Sequence, residues 1–305
     1  MRILFAGTPS TAANVLNGLV SSGHEVVAVL TREDATVGRK KILTPSAVAD
    51  AANELGLPII KTNKVDSQVI AQISQYQVDL AVVVAYGVIL RQDALDAVPN
   101  GWFNLHFSKL PRWRGAAPVQ HSIRSGDKET GVTVFKIDEG LDTGAVLGLA
   151  ETVIEPEETS GELLERLSVI GISLLNQELP KIYAGNAKLT AQEGEITLAP
   201  KIQRTHARVN FSASAKELEN LIRAMNPEPM AWCEFSGDPF RILRAREVQG
   251  SFKLVPGEVT IEGERVLVGC GFDTTLELLE VQPASKTKMA ASDWMHGQAT
   301  SVVLE

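Results

Sequence analysis

Residues 100–118 read NGWFNLHFSKLPRWRGAAP, and this stretch carries the strongest indications of the fold and of a functional site. A turn signal precedes an apolar run that predicts a buried strand over Trp102–His106. Asn104 and His106 interrupt the run, and because side chains alternate along a strand, both project from one face. Polar groups in such a setting need partners or a chemical role. The strand therefore delivers an amide and an imidazole to one place, ahead of an ordered loop at 108–115.

Strands and helices alternate before this stretch. A strand over 2–6, a helix over 10–22 and a strand over 25–30 predict a βαβ unit and hence a parallel sheet. The continuous valine-rich run at 79–86 is typical of a strand buried on both faces of such a sheet. The turn after the first strand lacks the glycine triplet of a dinucleotide fingerprint, so no nicotinamide cofactor is expected.

Two polar segments can each be interpreted in more than one way. The sequence of residues 31–43 predicts a long polar loop with several basic residues, and this loop is either solvated or in contact with substrate. Residues 138–144 form an acidic turn with two glycines, consistent with a surface hairpin, a cation loop or a positioned carboxylate. In the third case the carboxylate is that of Asp142.

The chain length and the change in the pattern of predicted elements along it indicate two domains, since 305 residues exceed a typical single domain. Residues 1–185 carry the alternating strands and helices. Residues 186–199 have mixed polarity without a clear period, which predicts an interdomain linker, with bounds of 186–206. Residues 207–305 contain one clear helix and then short strands separated by Gly and Pro, which suggests a small barrel. The predicted fold class is α/β with a mostly parallel sheet, followed by a C-terminal β-barrel domain.

Composition narrows the functional classes. The net charge of −8 argues against indiscriminate nucleic-acid binding, although a local basic patch remains compatible with it. Cys233 and Cys270 have no ligand spacing, which favours free buried thiols over a disulfide scaffold or a zinc site. The chain shows neither a signal peptide nor an apolar run of about 20 residues that could span a bilayer. We therefore expect a cytoplasmic protein without a metal.

The three candidate residues Asn104, His106 and Asp142 suit one class of chemistry. Together they could supply a general base, its orienting carboxylate and an oxyanion donor. No nucleophile motif accompanies them, so the simplest fit is direct acyl transfer to an amine. Taken singly, each residue is equally consistent with a structural role.

The stretch from Trp102 to Pro118 closely resembles the Asn-x-His-x-Ser-Leu-Leu-Pro signature of the formyltetrahydrofolate-dependent transformylases. Further motifs resemble the branch of that family that formylates methionyl initiator tRNA, and they extend over nearly the whole chain. These motifs are Ile3–Pro9, Val82–Gly87, Leu110–Gln120, Gly140–Gly144, Asn226–Trp232 and Leu279–Ala284.

The resemblance implies a Rossmann-like domain that binds 10-formyltetrahydrofolate, followed by an OB-like barrel that binds tRNA. It implies a monomer with initiator methionyl-tRNA and the folate donor as partners, and neither a metal nor a membrane. It assigns catalysis to Asn104, His106 and Asp142. The residues implied for folate are Tyr86, Gly87, Ser108, Lys109, Leu110 and Pro111. Those implied for tRNA are Arg39, Lys40, Lys41 and Lys201.

This chain departs from the family pattern at three places. Phe107 stands where the family usually has Gly, and we expect it to alter the backbone beside His106. Lys109 replaces a Leu, and we expect its ammonium group to reach the glutamate tail of the folate. Residues 32–35 read REDA where the family commonly has Pro-Asp-Arg-Pro.

Three alternatives remain open. A sugar-nucleotide formyltransferase has the same fold and catalytic residues but typically carries Arg-Gly-Arg-Ala-Pro where this chain has RGAAP at 114–118. A glycinamide-ribonucleotide transformylase is usually a single shorter domain. A silent tRNA- or folate-binding module would bind without transferring a formyl group. Because the chain is acidic, we expect contacts with tRNA to be confined to 39–41, 112–114 and 201–208.

Overall fold

The computed structural model describes residues 1–38, 41–250, 252–298 and 302–305, which divide into two compact units. The first unit comprises residues 1–118, 129–153 and 164–199. The second comprises residues 119–128, 154–163 and 200–305.

The elements of residues 1–199 follow in chain order: β1 (Arg2–Gly7), α1 (Ser10–Ser21), β2 (Glu25–Thr31), β3 (Ala35–Val37), β4 (Ile42–Thr44), α2 (Ala47–Glu54), β5 (Ile59–Lys61), α3 (Ser67–Ser74), β6 (Leu80–Val84), α4 (Gln92–Asp96), β7 (Trp102–His106), β8 (Arg114–Gly115), α5 (Pro118–Ser125), β9 (Glu129–Lys136), β10 (Val146–Val153), α6 (Ser160–Tyr183) and β11 (Leu198–Ala199).

The main sheet of the first unit has the strand order β10-β9-β7-β6-β1-β2-β5. The strands from β7 to β5 are parallel, whereas β9 and β10 are antiparallel additions. This confirms the predicted Rossmann-like, mostly parallel sheet. The strand order reverses between β1 and β6, and in open sheets of this kind ligands bind at the carboxyl ends of the strands near such a reversal.

Strand β7 lies in the interior of this sheet, between parallel β6 and antiparallel β9. Its bounds are those predicted from the sequence, and every residue of β6 is buried, as the apolar run indicated. Helix α6 approaches β7 closely at Gly171, because a Cβ there would lie 2.5 Å from Leu105 Cδ2. Leu105 stands between Asn104 and His106, so this contact fixes the strand that carries both.

The predicted long loop at 31–43 is wrong in part, since strands β3 and β4 pair there as a short antiparallel hairpin. The pairing joins Ala35–Val37 to Ile42–Thr44 and leaves Val37, Ile42 and Leu43 mostly exposed. Three-residue strands with exposed apolar side chains show no alternation long enough to be recognised in the sequence.

The segment at 190–199, within the linker predicted over 186–206, pairs with two other parts of the chain. Thr190 exchanges backbone hydrogen bonds with Val146, and β11 pairs in parallel with β8. These partners belong to the first unit, so the segment is part of that unit's structure.

The elements of the remaining chain are a 3-10 helix (Arg204–Ala207), α7 (Ala215–Met225), β12 (Ala231–Phe235), β13 (Asp238–Val248), β14 (Glu258–Glu262), β15 (Arg265–Gly269), β16 (Thr275–Gln282), β17 (Met289–Ala290), α8 (Ala291–His296) and β18 (Val302–Val303).

The strands of the second unit form a nearly closed antiparallel barrel in the order β12-β13-β16-β15-β14-β18. The C-terminal Glu305 exchanges backbone hydrogen bonds of 2.9 and 2.7 Å with Glu234 on β12, which links the two ends of the sheet. This confirms the predicted C-terminal barrel.

Aromatic rings and thiols fill the barrel interior. Phe240 packs against Trp294 with ring centroids 4.6 Å apart, and Phe235 meets the same tryptophan edge-on. Cys233 and Cys270 are free and buried, as predicted, and burial raises the pKa of each thiol to about 12. None of the helices in the described residues combines the length and apolar character needed to cross a membrane.

Candidate active site

Asn104 and His106 lie at the carboxyl end of β7, where the neighbouring parallel strand β6 also ends. The two side chains share one face of the strand. The turn that follows β6 contains two backbone conformations with positive φ, Ala85 at 46° and Gly87 at 76°. Three sequence-predicted residues, Gly87, Asn104 and His106, therefore belong to the same edge of the sheet.

His106 is 5% exposed, and both of its ring nitrogens face defined groups. Nε2–H donates to the carbonyl oxygen of Trp113 at 2.9 Å, and Nδ1 lies 3.8 Å from Oδ2 of Asp142. The ring edge of Phe135 packs against it. Burial lowers the pKa of His106 below its ordinary value, while Asp142 and the Trp113 carbonyl oppose that shift. The imidazole is thus neutral at rest and has a carboxylate ready to stabilise its charged form.

Asp142 has a carboxylate that the backbone of another loop holds in place. Its Oδ2 accepts a hydrogen bond of 2.7 Å from the backbone N–H of Gly115. Its backbone has a φ of 52°, an uncommon conformation for a non-glycine residue. The turn itself is shaped by Asp138, whose Oδ1 accepts from Gly140 N and Thr143 Oγ1.

The loop after β7 is held by its own hydrogen bonds. Ser108 is 1% exposed, and its hydroxyl donates to the carbonyl of Arg112 at 2.6 Å. Thr133 Oγ1 donates to the Ser108 carbonyl and accepts from the N–H of Leu110. Leu110 and Pro111 are buried. The hydroxyl of Ser108 and the side chain of Leu110 therefore stabilise the loop, and their assignment to folate stays a prediction.

Lys109 points toward two acidic residues on β9 and β10. Its ammonium nitrogen lies 2.9 Å from Glu151 and 3.6 Å from Glu129. The hydrogen bond to Glu151 is the main cause of a raised pKa for Lys109. An ammonium paired in this way would have to exchange these carboxylates for those of a folate tail.

Phe107 is buried and does not adopt the left-handed backbone that would favour glycine. The substitution is therefore accommodated by packing without backbone strain at this position.

Tyr86 is buried under the turn that follows β6. Its hydroxyl donates to the Thr62 carbonyl at 3.3 Å, and its own carbonyl accepts from the Thr8 hydroxyl at 2.9 Å. Burial raises the pKa of Tyr86, so it stays a neutral donor. Tyr86 thereby joins the turn after β1 to the turn after β6, on either side of the strand-order reversal.

A cavity of about 650 Å³ opens beside the start of β7 and the segment at 136–140, and sequence reasoning missed it. Apolar side chains and carboxylates both line it, and its volume is typical of small-molecule pockets. Its lining contains none of the four residues at 108–111 predicted to contact folate. The lining residues are Gln92, Leu95, Asp96, Val98, Pro99, Gly101, Trp102, Lys136, Ile137, Asp138, Glu139 and Gly140.

Sequence reasoning also missed three groups that shape the site: the Trp113 carbonyl, the Gly115 N–H and the side chain of Gln192. Gln192 contacts the backbone of Asp142 and the side chain of Arg114. Backbone groups carry no residue signal, and Gln192 lies in a segment without periodicity. Only the motif quoted at 110–120 could have pointed to Trp113 and Gly115.

The residues predicted to bind tRNA fall in different parts of the chain. Arg39 and Lys40 lie outside the described residues. Lys41 is exposed in the first unit beside strand β4, with a φ of 48°. Lys201 is exposed in the second unit. Across the described parts of the chain, no group of three or more His, Cys, Asp or Glu is arranged to hold a metal ion.

Comparisons with known proteins identify the family of the chain. Residues 1–179 match the family model described as "Formyl transferase", and residues 201–299 match "Formyl transferase, C-terminal domain". A methionyl-tRNA formyltransferase from Arthrobacter sp. (strain FB24) is 47% identical over 298 residues, which is 98% of this chain and 97% of the relative.

Two solved structures have the same fold. The methionyl-tRNA formyltransferase from Clostridium thermocellum superposes with a TM-score of 0.58 at 15% identity, covering 93% of this chain and 98% of its own. The N-formyltransferase from Helicobacter canadensis, in complex with folinic acid and dTDP-3-aminofucose, has a TM-score of 0.67 at 18% identity and covers 92% and 98%. At these identities the structures establish the fold alone, whereas the matched family models and the 47% identity establish kinship: the chain belongs to the formyl transferase family, in its methionyl-tRNA formyltransferase branch.

Proposed function

We propose that this protein transfers a formyl group from 10-formyltetrahydrofolate to the α-amino group of methionine carried by initiator tRNA. The observation that carries the chemistry is the buried His106, held between the Trp113 carbonyl and the Asp142 carboxylate at the end of β7. The choice of acceptor rests on the relative that matches nearly the full length of the chain.

The residues suit attack by an amine on a formyl carbon. The attacking amine must lose a proton, and a neutral imidazole with a lowered pKa can accept one. Asp142 stabilises the imidazolium that forms. The proton taken up at Nδ1 lies beside the Asp142 carboxylate, and the Asn104 amide is the donor for the negative charge that develops on the formyl oxygen. The same proton leaves with the folate nitrogen when the carbon–nitrogen bond to the donor breaks, so no net charge remains on His106.

Trp113 contributes through its backbone. Its φ of 64° turns its carbonyl toward Nε2 of His106, which fixes the ring and leaves Nδ1 facing Asp142. A left-handed conformation costs a residue with a side chain about 1–2 kcal/mol. Strain of this kind persists where the surrounding structure enforces a functional geometry.

The cavity beside the start of β7 and the segment at 136–140 has a lining that suits the ring system of the folate donor. The flat ring system of a folate is largely apolar on its faces and carries N–H donors at its edge. The cavity offers Leu95, Trp102 and Ile137 as apolar surfaces and the carboxylates of Asp96 and Asp138 as acceptors. We assign the ring of the donor to this cavity, and Ser108–Pro111 remain predicted contacts for the rest of the molecule.

The tRNA contacts remain part of the proposal. Lys41 and Lys201 are exposed cations that can neutralise phosphates. On the second unit, Arg204 and Arg208 lie 5.0 and 5.5 Å from the Trp232 ring and add positive charge beside Lys201 in the chain. Arg39 and Lys40 belong to the same proposal on the basis of the sequence motif.

The test is an assay of labelled formyl transfer with three acceptors: methionyl initiator tRNA, an amino-sugar nucleotide and glycinamide ribonucleotide. We expect product with the tRNA alone. We expect His106→Ala and Asp142→Asn to lower the rate by about 10²- to 10⁴-fold. His296→Ala, which removes an exposed histidine in the second unit, serves as the control and keeps the wild-type rate. Faster transfer to either small acceptor, or undiminished rates in the first two variants, would contradict the proposal.

A further inference from the structure

The side-chain amide of Gln192 uses its full hydrogen-bonding capacity on two loops beside His106. Its Oε1 accepts from Nε and an Nη of Arg114 at 3.1 and 2.7 Å. Its Nε2 donates to the carbonyls of Asp142 at 2.8 Å and Gly144 at 2.9 Å. An amide has two acceptor sites and two donor hydrogens, and all four are used here.

The same two loops are also joined by the hydrogen bond between Gly115 and Asp142. The Arg114 end belongs to β8, whose next residue, Gly115, donates its N–H to Oδ2 of Asp142. At its Nε2, Gln192 binds the backbone carbonyl of Asp142 itself. The two loops are therefore joined twice, once through the carboxylate and once through Gln192.

The Asp142 loop needs support of this kind. Asp142 has a φ of 52°, and the preceding Leu141 is 63% exposed, so little packing surrounds it. A strained residue in an exposed loop keeps its conformation only if contacts from outside the loop enforce it. Gln192 supplies such contacts from a distant part of the chain.

We propose that Gln192 is a positioning residue of the active site, which holds the Asp142 carboxylate beside His106 by anchoring the backbone of Asp142 and Gly144 to Arg114. The effect of Gln192 on catalysis rests on the proposed function. The effect of Gln192 on the His106–Asp142 pair does not depend on any substrate.

The chemistry explains why a glutamine suits this position. A glutamate has the same shape but no donor, so it would repel the two carbonyls while keeping the pairing with Arg114. An asparagine is one methylene shorter and could not reach both loops. An alanine would leave the Arg114 guanidinium free to pair with Asp142 and compete with His106 for its charge.

The groups that face His106 determine how its pKa should change when Gln192 is substituted. They are the Asp142 carboxylate from the 138–144 loop, the Trp113 carbonyl from the loop before β8, and the uncharged Phe135 ring from β9. The guanidinium of Arg114, on β8, is held by Gln192. Displacing Asp142 removes the interaction that favours the imidazolium, so the pKa of His106 should fall.

The experiment is an NMR titration of the histidine rings in the intact protein, which has five histidines. The variants are Gln192→Glu, Gln192→Ala and, as the reference for complete loss, Asp142→Asn. The neighbouring exposed Glu193→Ala is the matched control. We expect both Gln192 variants to lower the pKa of His106 by roughly half or more of the Asp142→Asn change, and Glu193→Ala to leave it unaltered. Tm is measured in parallel.

A second readout separates positioning from folding. If Gln192 places the carboxylate, its variants lose about 10- to 100-fold in kcat for formyl transfer with little change in the KM of the folate. A pKa of His106 equal to wild type in both variants overturns the proposal, whether Tm falls or not. Absence of formyl transfer by the wild-type protein would overturn the proposed function instead, and the titration would still decide the role of Gln192.

Discussion

At the scale of single residues, the site depends on a histidine whose pKa is lowered by burial, a shift that a neighbouring carboxylate opposes. Burial favours neutral His106, and Asp142 favours the charged form. A neutral imidazole of this kind can take a proton during a reaction and return it, because Asp142 lies close enough to stabilise the charged form. The Trp113 carbonyl holds the ring of His106, and the Gly115 N–H holds the carboxylate of Asp142.

The lowered pKa of His106 predicts how stability responds to acid. A histidine that is harder to protonate in the native state than in the unfolded chain makes the unfolded state bind more protons. Stability therefore falls as pH drops below the unfolded value of about 6.5. His106→Asn should flatten this dependence in urea unfolding between pH 5 and 7.5. Since the pKa of His121 is also lowered, chiefly by burial, His121→Asn is the comparison. An unchanged slope in His106→Asn would contradict the assignment.

Gly115 has a position that only glycine fits. Its φ is 126°, and a Cβ would lie 2.6 Å from the carbonyl oxygen of Ala199. Gly115→Ala should therefore lower the free energy of unfolding by about 1–3 kcal/mol and reduce activity, because the N–H that holds Asp142 moves. Gly56→Ala is the control, since it also has a positive φ but open space around it. Equal losses in chemical denaturation of the two variants would mean that the contact with Ala199 has no effect.

At the scale of elements, the site could be predicted only in part. Strand β7 and buried β6 were predicted because continuous apolar runs and the alternation of Asn104 and His106 are local signals. The β3–β4 hairpin and the segment at 190–199 were missed, since their structure depends on partners distant in sequence. The placement of Asp142 was left open for the same reason: its partner Gly115 is 27 residues away.

The packing of α6 on β7 predicts a coupled pair of substitutions. Gly171→Ala places a Cβ 2.5 Å from Cδ2 of Leu105, so it should destabilise by about 1–3 kcal/mol despite the better helix propensity of alanine. Leu105→Val removes both δ carbons and should relieve the clash. A double-mutant cycle on unfolding free energies measures this coupling. Strictly additive effects would show that α6 does not press on the strand that carries the site.

At the scale of the whole molecule, an acidic chain has to bind an acidic partner under the proposed function. The net charge is −8, so attraction must come from local cations. The exposed Lys41 and Lys201, one in each compact unit, are the cations that we propose for this contact.

Salt dependence tests those contacts directly. The logarithm of the tRNA association constant should fall linearly with the logarithm of salt concentration, and Lys41→Ala and Lys201→Ala should each reduce the slope by about one. Lys188→Ala, a change outside the proposed tRNA-contacting residues, provides the comparison. A slope near zero for the wild-type protein would rule out direct phosphate contacts.

The central claim is that the His106–Asp142 pair transfers a formyl group to the amine of methionyl initiator tRNA. The most direct measurement is the single-turnover rate of formyl transfer, with enzyme and folate donor in excess over the charged tRNA, across pH 5.5 to 8.5. The wild-type rate should rise with pH along a limb that Asp142→Asn displaces to lower pH, while its plateau falls by about 10²-fold or more. A plateau and a limb that are both unchanged in Asp142→Asn would contradict the account.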